Sequence, residues 1–491
     1  MRKMAVVLIT VSLLTGLMAG CGASQSGQNT EQADAERTAA ERSDAADTAS
    51  GEADGSSAEK AEPETELHIY SMGEDFKNRM QFFYPEYTVT GDQSGMIGDL
   101  MVQWHVYSDE QEYRDALDEA LEQRTVDLYV VQENFLRDYV ESGMSSDVVS
   151  EVGLTGEELA DQFPYTQQIA TDQEGRLKAV TWQATPGVFA YRRSIAKEVL
   201  GTDDPDEVQE YVSDWEQFEQ TAEMVKEAGY YMLSGYGDAY QVYSDNVSSA
   251  WVENGALNID PHLEEWALQT YDFARNGYTH GTQQWSEEWR ADHTGDGQVF
   301  GFFYSSWGIH YTLQDKAEGD SEEDADTESA SGDYAVCRGP EPSHFGGQWI
   351  LAAPGSDDPD AVREIMRNMT CNPQLMKKIT ADIHEFTNTI SGMKELAESG
   401  YSAEVLGGQN PLPVYLEVAQ QLTQMHVTSY DDDLDLGFQV SMEDYFAGRV
   451  SQTEALETFR KVALERYEEL EESTGEEEDA EDVPEEEEDT N

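Results

Sequence analysis

Residues 126–131, with the sequence VDLYVV, decide the fold, because this short apolar run is typical of a buried strand. The residues before it, 113–121, repeat apolar side chains such as Tyr113 and Leu117 at helical spacing. An earlier strand is predicted at residues 67–70 (LHIY). The order strand, helix, strand predicts a right-handed crossover between parallel strands, and therefore an α/β fold.

Further helices are predicted from the residues that begin them. Ser213 and Glu216 have the spacing of a capping box, with Ser213 at the N-cap, and Gly229 ends that helix. Two more helices begin where an aspartate precedes a proline, at Asp260 and at Asp358. Together these signals predict strands and helices that alternate along most of the chain.

The first 20 residues have the pattern of a processing signal rather than of a folded segment. Two basic residues precede an apolar run at 4–17 that is short for a membrane span, and residues 17–21 (LMAGC) resemble the bacterial lipobox. This pattern predicts removal of residues 1–20 and lipid attachment at Cys21, on the outer face of the bacterial cytoplasmic membrane. The alternative is an ordinary secretory signal followed by a chance cysteine.

The charge is strongly negative, with 101 acidic against 29 basic residues and a net charge of -72. Such a field repels nucleic acid and anionic lipid surfaces, so the only predicted membrane attachment is through the lipid anchor. Residues 21–66 lack aromatic side chains and are predicted to form a disordered acidic tether. Residues 316–332 are predicted to be an acidic loop insertion, and residues 471–491 an acidic disordered tail.

The motifs bear on three kinds of chemistry: a disulfide, a calcium site and a phosphate-binding loop. Cys337 and Cys371 could pair in an extracellular protein, but their sequence positions do not decide it. Residues 430–438 (YDDDLDLGF) depart from a calcium-binding loop at Leu436, so we expect a solvated acidic loop there. We expect no metal and no cofactor, and the chain has no phosphate-binding loop of the ATPase type.

Six ordered segments resemble the family 1 extracellular solute-binding proteins of carbohydrate ABC importers, the group that includes maltose-binding protein. The resemblance covers roughly residues 67–470 in collinear order. The region 80–106 departs from it by being longer and more aromatic than is usual, and the acidic insertion is also unusual. The segments are 187–200 (GVFAYRRSIAKEVL), 214–218 (DWEQF), 295–307 (GDGQVFGFFYSSW), 346–353 (GGQWILAA), 358–376 (DPDAVREIMRNMTCNPQLM) and 446–449 (FAGR).

The resemblance implies a two-lobe α/β fold of the periplasmic-binding-protein type II class, with discontinuous lobes joined by hinge crossings. It implies residues 67–180 plus 340–390 for the N-terminal lobe and 185–338 plus 391–470 for the C-terminal lobe. It also implies a ligand bound in the cleft between the lobes. The chain would be a monomer that meets permease subunits of an ABC importer.

Candidate ligand contacts follow from the chemistry of a sugar, which presents apolar C–H faces and a rim of hydroxyl groups. Flat aromatic rings match the faces, and carboxylate or amide groups match the hydroxyls. Packing in the core is the competing interpretation for each aromatic residue, and an exposed surface position for each polar one. The candidates are Glu74, Gln132, Glu133, Trp182, Tyr236, Asp238, Trp307 and Trp349.

The sequence therefore predicts a protein without catalytic activity that captures a sugar or oligosaccharide and delivers it to an importer permease. Two alternatives stay open. One is a receptor for another solute or a sensor lipoprotein with the same site. The other is a surface glycoside hydrolase, which needs little more than two carboxylates across a cleft.

Overall fold

The computed structural model describes residues 66–313, 329–422 and 425–472. The predicted signal peptide, the predicted lipidation site Cys21, nearly all of the tether, most of the acidic insertion and all but the first residues of the acidic tail lie outside these described residues. Within the described part of the chain, no helix is both long and apolar enough to cross a membrane.

The larger sheet has seven strands and contains the segment that decided the fold. Leu128–Gln132 runs parallel to Glu66–Met72 as predicted, but the helix Glu110–Gln123 connects it to a further parallel strand, Leu100–Tyr107, which comes between them in the chain. Every buried side chain of this helix points to the core at helical spacing, and the Asp109 side chain accepts a hydrogen bond from the Glu112 amide at its start. The strand order is Tyr87–Gly91, Ser94–Ile97, Leu100–Tyr107, Glu66–Met72, Leu128–Gln132, Gln348–Ala352, Ala179–Val180.

A second, three-stranded sheet joins two hydrophobic cores. Its central strand Gly187–Arg192 pairs antiparallel with Gly301–Ser305 on one side and Tyr334–Cys337 on the other. All residues of the central strand are buried. Because side chains alternate between the two faces of a strand, Val188 and Ala190 pack into the first core, whereas Phe189 and Tyr191 pack into the second.

Helices cover both sheets and separate into the same two cores. The helices that pack around the larger sheet mostly belong to the first core. The helices that pack on the Phe189 and Tyr191 face of the smaller sheet belong to the second core. The first-core helices are Asp75–Phe83, Glu110–Gln123, Glu133–Val140, Gly156–Leu159, Pro164–Ile169, Pro359–Cys371, Pro373–Ile383, Ile390–Ala397 and Leu412–Gln421. The second-core helices are Arg193–Val199, Pro205–Tyr211, Trp215–Glu227, Tyr240–Ser244, Pro261–Asn276, Asp431–Phe446 and Gln452–Arg466.

The remaining elements are short. Two π-helical turns, two short helices and five strands complete the described structure. The π-helical turns are Val148–Val152 and Ile309–Leu313, and the short helices are Glu287–Ala291 and Ser306–Gly308. The strands are Leu233–Gly235, Thr279–Thr282, Val252–Glu253, Ala256–Leu257 and Glu471–Glu472.

Two local predictions need correction. The helix that was expected to begin at Ser213 has Asp214 at its N-cap, where the carboxylate accepts a hydrogen bond from the Gln217 amide at 2.8 Å. A carboxylate is the stronger acceptor and suits the positive end of the helix dipole. The helix starts at Asp260 and Asp358 are confirmed, because each side chain caps the amide groups of the first turn.

The segment 430–438 is not a solvated acidic loop, and that prediction is wrong. It forms the start of the helix Asp431–Phe446, in which Leu434, Phe438 and Met442 recur every four residues and are buried in the second core. Acidic side chains are stabilising in the first turn of a helix. The acidic composition of the segment therefore marks a helix N-terminus.

Two of the later helices pack into the first core, and the predicted lobe boundaries themselves stay a prediction. The helices Ile390–Ala397 and Leu412–Gln421, which the resemblance placed in the C-terminal lobe, contribute Met393 and Tyr415 to the first core. The chain returns to the second core only with the helix Asp431–Phe446. Cys337 and Cys371 are both free thiols, the former buried and the latter partly exposed.

The smaller sheet depends on close approach at Gly301. A Cβ atom at this position would collide with the Phe189 ring and stand 2.8 Å from the Ala190 carbonyl oxygen. We expect Gly301→Ala to lower the free energy of unfolding by about 1–3 kcal/mol through overpacking, measured by urea unfolding followed by circular dichroism. Gly143→Ala is the control, because its Cβ would meet no atom within 4 Å. An equal loss in both variants would contradict this packing.

A carboxylate-rich cleft as the candidate functional site

A cavity of about 680 Å³ lies between the two cores and is lined by residues of both. This volume is in the range of sites that enclose small organic ligands. Gln132 and Glu133 reach it from the carboxyl end of the strand Leu128–Gln132, which is where α/β sheets bind ligands. The lining includes charged, amide and aromatic side chains of both cores: Asp75, Arg79, Glu133, Gln183, Asp245, Trp251, Trp307, Tyr311, His344, Phe345, Gln348, Glu385, Asp431 and Asp435.

On the first-core side, Arg79 holds a buried network. Its Nε and Nη2 atoms donate to the two oxygens of Glu385 at 3.2 and 3.3 Å, and its Nη1 donates to Asp75 at 3.1 Å. Gln183 donates to the same Glu385 carboxylate at 2.5 Å. Burial opposes a charge on Arg79, but Glu385 and Asp75 outweigh that effect and raise its pKa. On this wall of the cleft, the positive charge of Arg79 is therefore balanced by the carboxylates of Asp75 and Glu385.

His344 joins the two sides of the cleft. Its Nε2 lies 2.6 Å from an oxygen of Glu133, which begins a first-core helix, and its Nδ1 lies 3.0 Å from Asp245, which follows the second-core helix Tyr240–Ser244. The His344 side chain is only 3% exposed. Burial would lower its pKa, but the two carboxylates outweigh burial and hold the pKa well above its usual range. Each ring nitrogen therefore faces a carboxylate oxygen, an arrangement that favours the protonated ring.

The second-core side carries two carboxylates, Asp431 and Asp435, that form no ion pair with any residue that the structure describes. Asp435 accepts hydrogen bonds from the Tyr240 hydroxyl and from Trp251 Nε1, the latter at 2.9 Å. Asp431 accepts from the Thr428 amide at 2.8 Å and from its hydroxyl. Burial raises the pKa of Asp435 to about 7 and that of Asp431 to about 6. The raised pKa values mean that burial disfavours the ionised form of both carboxyl groups.

Aromatic side chains present open faces to the same cleft. The rings of Trp307 and Phe345 are stacked, with centroids 6.1 Å apart, and Trp307 Nε1 donates to the Phe345 carbonyl at 3.0 Å. Phe345 is 44% exposed and Tyr311 48%. Exposed aromatic faces inside a cavity are suited to the apolar face of a ring-shaped ligand. No group of three or more metal-ligating side chains within the described ranges has a geometry that could hold an ion.

The structure brings three of the eight predicted contacts to the cleft and gives the others different surroundings. Gln132, Glu133 and Trp307 line the cavity. Trp182 and Trp349 are buried in the first core, where their Nε1 atoms donate to Glu385 and to the Thr166 carbonyl.

For both tryptophans the prediction missed by one residue, because Gln183 and Gln348 line the cleft in their place. Trp349 lies in a strand, where adjacent side chains point to opposite faces. We therefore withdraw both tryptophans as ligand contacts.

Glu74, Tyr236 and Asp238 also lie outside the cavity lining. Glu74 pairs with Lys77 at 2.8 Å, and Tyr236 packs against Phe446. Asp238 accepts hydrogen bonds from the amides of Ser234 and Gly235 at 3.1 and 2.8 Å, and burial raises its pKa to about 6. Its role in this structure is to hold a turn.

The sequence interpretation missed the charged groups of the cleft. Arg79 and Glu385 are 306 positions apart, and His344 and Glu133 are 211 positions apart. No local pattern reports such contacts. Asp431 and Asp435 had a signal, since the apolar residues Leu434 and Phe438 beside them are spaced as in a helix.

No family model and no curated protein matches this chain. Solved structures do match. An extracellular solute-binding protein of family 1 has a TM-score of 0.68 at 14% sequence identity, and the match covers 82% of this chain and 99% of that protein's chain. The sugar-binding protein MalE from Xanthomonas citri has a TM-score of 0.62 at 14% identity, covering 82% and 98%.

A third match is the galacto-N-biose-/lacto-N-biose I-binding protein of the ABC transporter from Bifidobacterium longum, in complex with lacto-N-biose. Its TM-score is 0.58 at 13% identity, covering 83% of this chain and 98% of its own. The predicted two-lobe α/β fold is thereby confirmed.

The protonated bridge at His344 has a pH signature. A group whose pKa rises on folding stabilises the folded state most below its ordinary pKa of 6.5, and this contribution is lost as the pH rises toward the folded-state value. We expect His344→Gln to lower the free energy of unfolding by about 3–5 kcal/mol at pH 6, because two buried carboxylates lose their cation. The loss should shrink at pH 9, as measured by urea unfolding.

His68→Gln serves as the control, since the His68 ring is partly exposed and its Nε2 lies 3.8 Å from the Glu66 carboxylate. Its substitution should cost at most about 1 kcal/mol at either pH. A loss at His344 that is the same at pH 6 and pH 9 would show that the ring is not charged in the folded protein.

Proposed function

We propose that this protein is an extracellular solute-binding protein of family 1, which captures a sugar or oligosaccharide in the cleft and delivers it to the permease of an ABC importer. The observation that carries the proposal is the cleft itself. It is lined from both cores, and it combines the exposed rings of Phe345 and Tyr311 and the half-buried ring of Trp307 with hydrogen-bonding side chains. Two of the structural neighbours are named for sugar binding, and one of these holds lacto-N-biose.

The proposed mechanism is capture by closure. Aromatic faces cover the ring carbons, and acceptors such as Glu133 and Asp435 bind hydroxyl groups. A ligand that contacts both walls stabilises the closed arrangement, because that is the state in which it makes the most interactions. Nothing in this sequence of steps needs bond cleavage, so we propose a binding role without catalysis.

We also propose that Cys21 carries the lipid anchor that keeps the protein at the cell surface. The support is the lipobox-like sequence of residues 17–21. Cys21→Ala should abolish incorporation of labelled palmitate into the protein, as followed by metabolic labelling and immunoprecipitation. Labelling of the variant at the wild-type level would contradict lipid attachment at this residue.

The ligand contact of Trp307 can be measured by calorimetric titration with a panel of oligosaccharides. We expect Trp307→Ala to weaken binding of the saccharide that the wild-type protein selects by roughly 30-fold, the effect of losing a central aromatic contact. Trp285→Ala is the matched control, because this indole is 46% exposed and lies outside the cavity lining.

The Trp285 control should bind like the wild type. Equal binding by the two variants would place the ligand elsewhere. Absence of heat with every saccharide in the panel would overturn the sugar assignment.

A further inference from the structure

The electrostatic balance of the cleft restricts the class of saccharide that it can hold. Nine carboxylates line it, against two arginines and two histidines. The whole chain is acidic, so the number of carboxylates alone carries little information. What distinguishes these groups is that they share a confined space in which water cannot fully screen their charges.

Both arginines of the lining are already ion-paired. Arg79 is matched by both Asp75 and Glu385. Arg137 pairs with Glu141, which is not part of the lining, and donates to two backbone carbonyls. Arg137 also acts on Asp431 at longer range, where it lowers the pKa of that carboxyl, but it forms no ion pair with it.

The aspartates at the start of the helix Asp431–Phe446 have no such partner. Asp431, Asp432 and Asp435 line the cleft, and none forms a salt bridge within the part of the chain that the structure describes. Asp431 and Asp435 are four positions apart and therefore lie on one face of the helix. Two neighbouring carboxylates that form no ion pair give this part of the cavity a negative surface, which Arg137 offsets only in part.

An independent observation points to a ligand rich in hydrogen-bond donors. Gln348 lines the cleft and is 8% exposed, yet its Oε1 accepts no hydrogen bond. Its Nε2 donates to Asp75 and its backbone amide to Gln183, so only the acceptor is left over. Oε2 of Glu133, in the same cleft, is also without a donor. Buried acceptors without a donor are costly, and a bound donor removes the cost.

We infer that the ligand is an amino saccharide, a sugar frame with at least one protonated amine, whose ammonium group binds at Asp431 and Asp435. This inference rests on the proposed function and names the substrate class of the same site. An ammonium group supplies the cation that these carboxylates lack, and its hydrogen bonds to them are charge-assisted. The faces of Trp307 and Phe345 receive the sugar ring and also attract a cation. An acidic saccharide is repelled by the same field.

The test compares saccharides that differ only in an amine. Purified full-length protein is titrated by calorimetry at pH 7.5 with maltotriose against its 6-amino-6-deoxy derivative, and with the trimer of N-acetylglucosamine against the trimer of glucosamine. The amine-bearing member should bind at least about tenfold more tightly, the gain expected for a charged hydrogen bond. Raising the salt concentration should weaken its binding and leave the neutral member unchanged.

Variants on one helix separate a local contact from the general field. Asp435→Asn should weaken binding of the amine-bearing saccharide by about tenfold or more. Glu443→Gln removes the same charge from an exposed position of that helix and should leave affinity unchanged. Equal weakening by both variants would overturn the assignment of Asp435. The salt titration needs no variant and decides the matter if Asp435→Asn does not fold.

The outcomes distinguish this inference from the function on which it rests. A neutral saccharide that binds as tightly as its amine-bearing partner overturns the inference and leaves the proposed function standing. Binding of spermidine with no binding of any saccharide overturns both, because the sugar frame is then not recognised. Failure of every amine-bearing saccharide to bind also overturns the inference.

Discussion

The structure depends on one strand that is buried on both faces. Gly187–Arg192 lies at the centre of the smaller sheet, and its alternate side chains belong to different hydrophobic cores. A strand of this kind cannot shift its register by one residue without exchanging the side chains of the two cores. It therefore fixes how the two cores meet, and with them the cavity that both cores line. The requirement for glycine at position 301 is a local consequence, since the Phe189 ring and the Ala190 carbonyl occupy the space of a side chain.

The cleft places charged groups where protein interiors usually exclude them. In two places the buried charges are balanced by ion pairs within the chain: between Arg79 and Glu385, and between His344 and its two carboxylates. Asp431 and Asp435 have hydrogen-bond donors but no ion pair in the described structure, and the pKa of each is raised. An arrangement that costs stability and is concentrated at one cavity is typical of a site that binds something. The unfilled acceptor of Gln348 favours a ligand that donates hydrogen bonds, and the charge balance favours a ligand with a positively charged donor.

The fold was predictable from sequence because its signals are local. The strand at 128–132, the crossover helix before it and the aspartate caps follow from patterns within about ten residues. The site was predictable only in part. Trp349 and Gln348 are neighbours in one strand, and which of them faces the cleft depends on how the sheet packs, a tertiary property that a single sequence does not report. Asp435 meets Tyr240 and Trp251 across 195 and 184 positions, so its position in the cleft had no local signature beyond its helical setting.

The central claim is that a saccharide lies between the two cores, with its ring on the aromatic faces and its donors on the acceptors of both walls. A crystal structure of the protein with the saccharide selected by titration tests this most directly. The account predicts sugar density against Trp307, within hydrogen-bonding distance of Glu133 on one wall and Asp435 on the other. Density at another surface, or an empty cleft at saturating ligand, would contradict it.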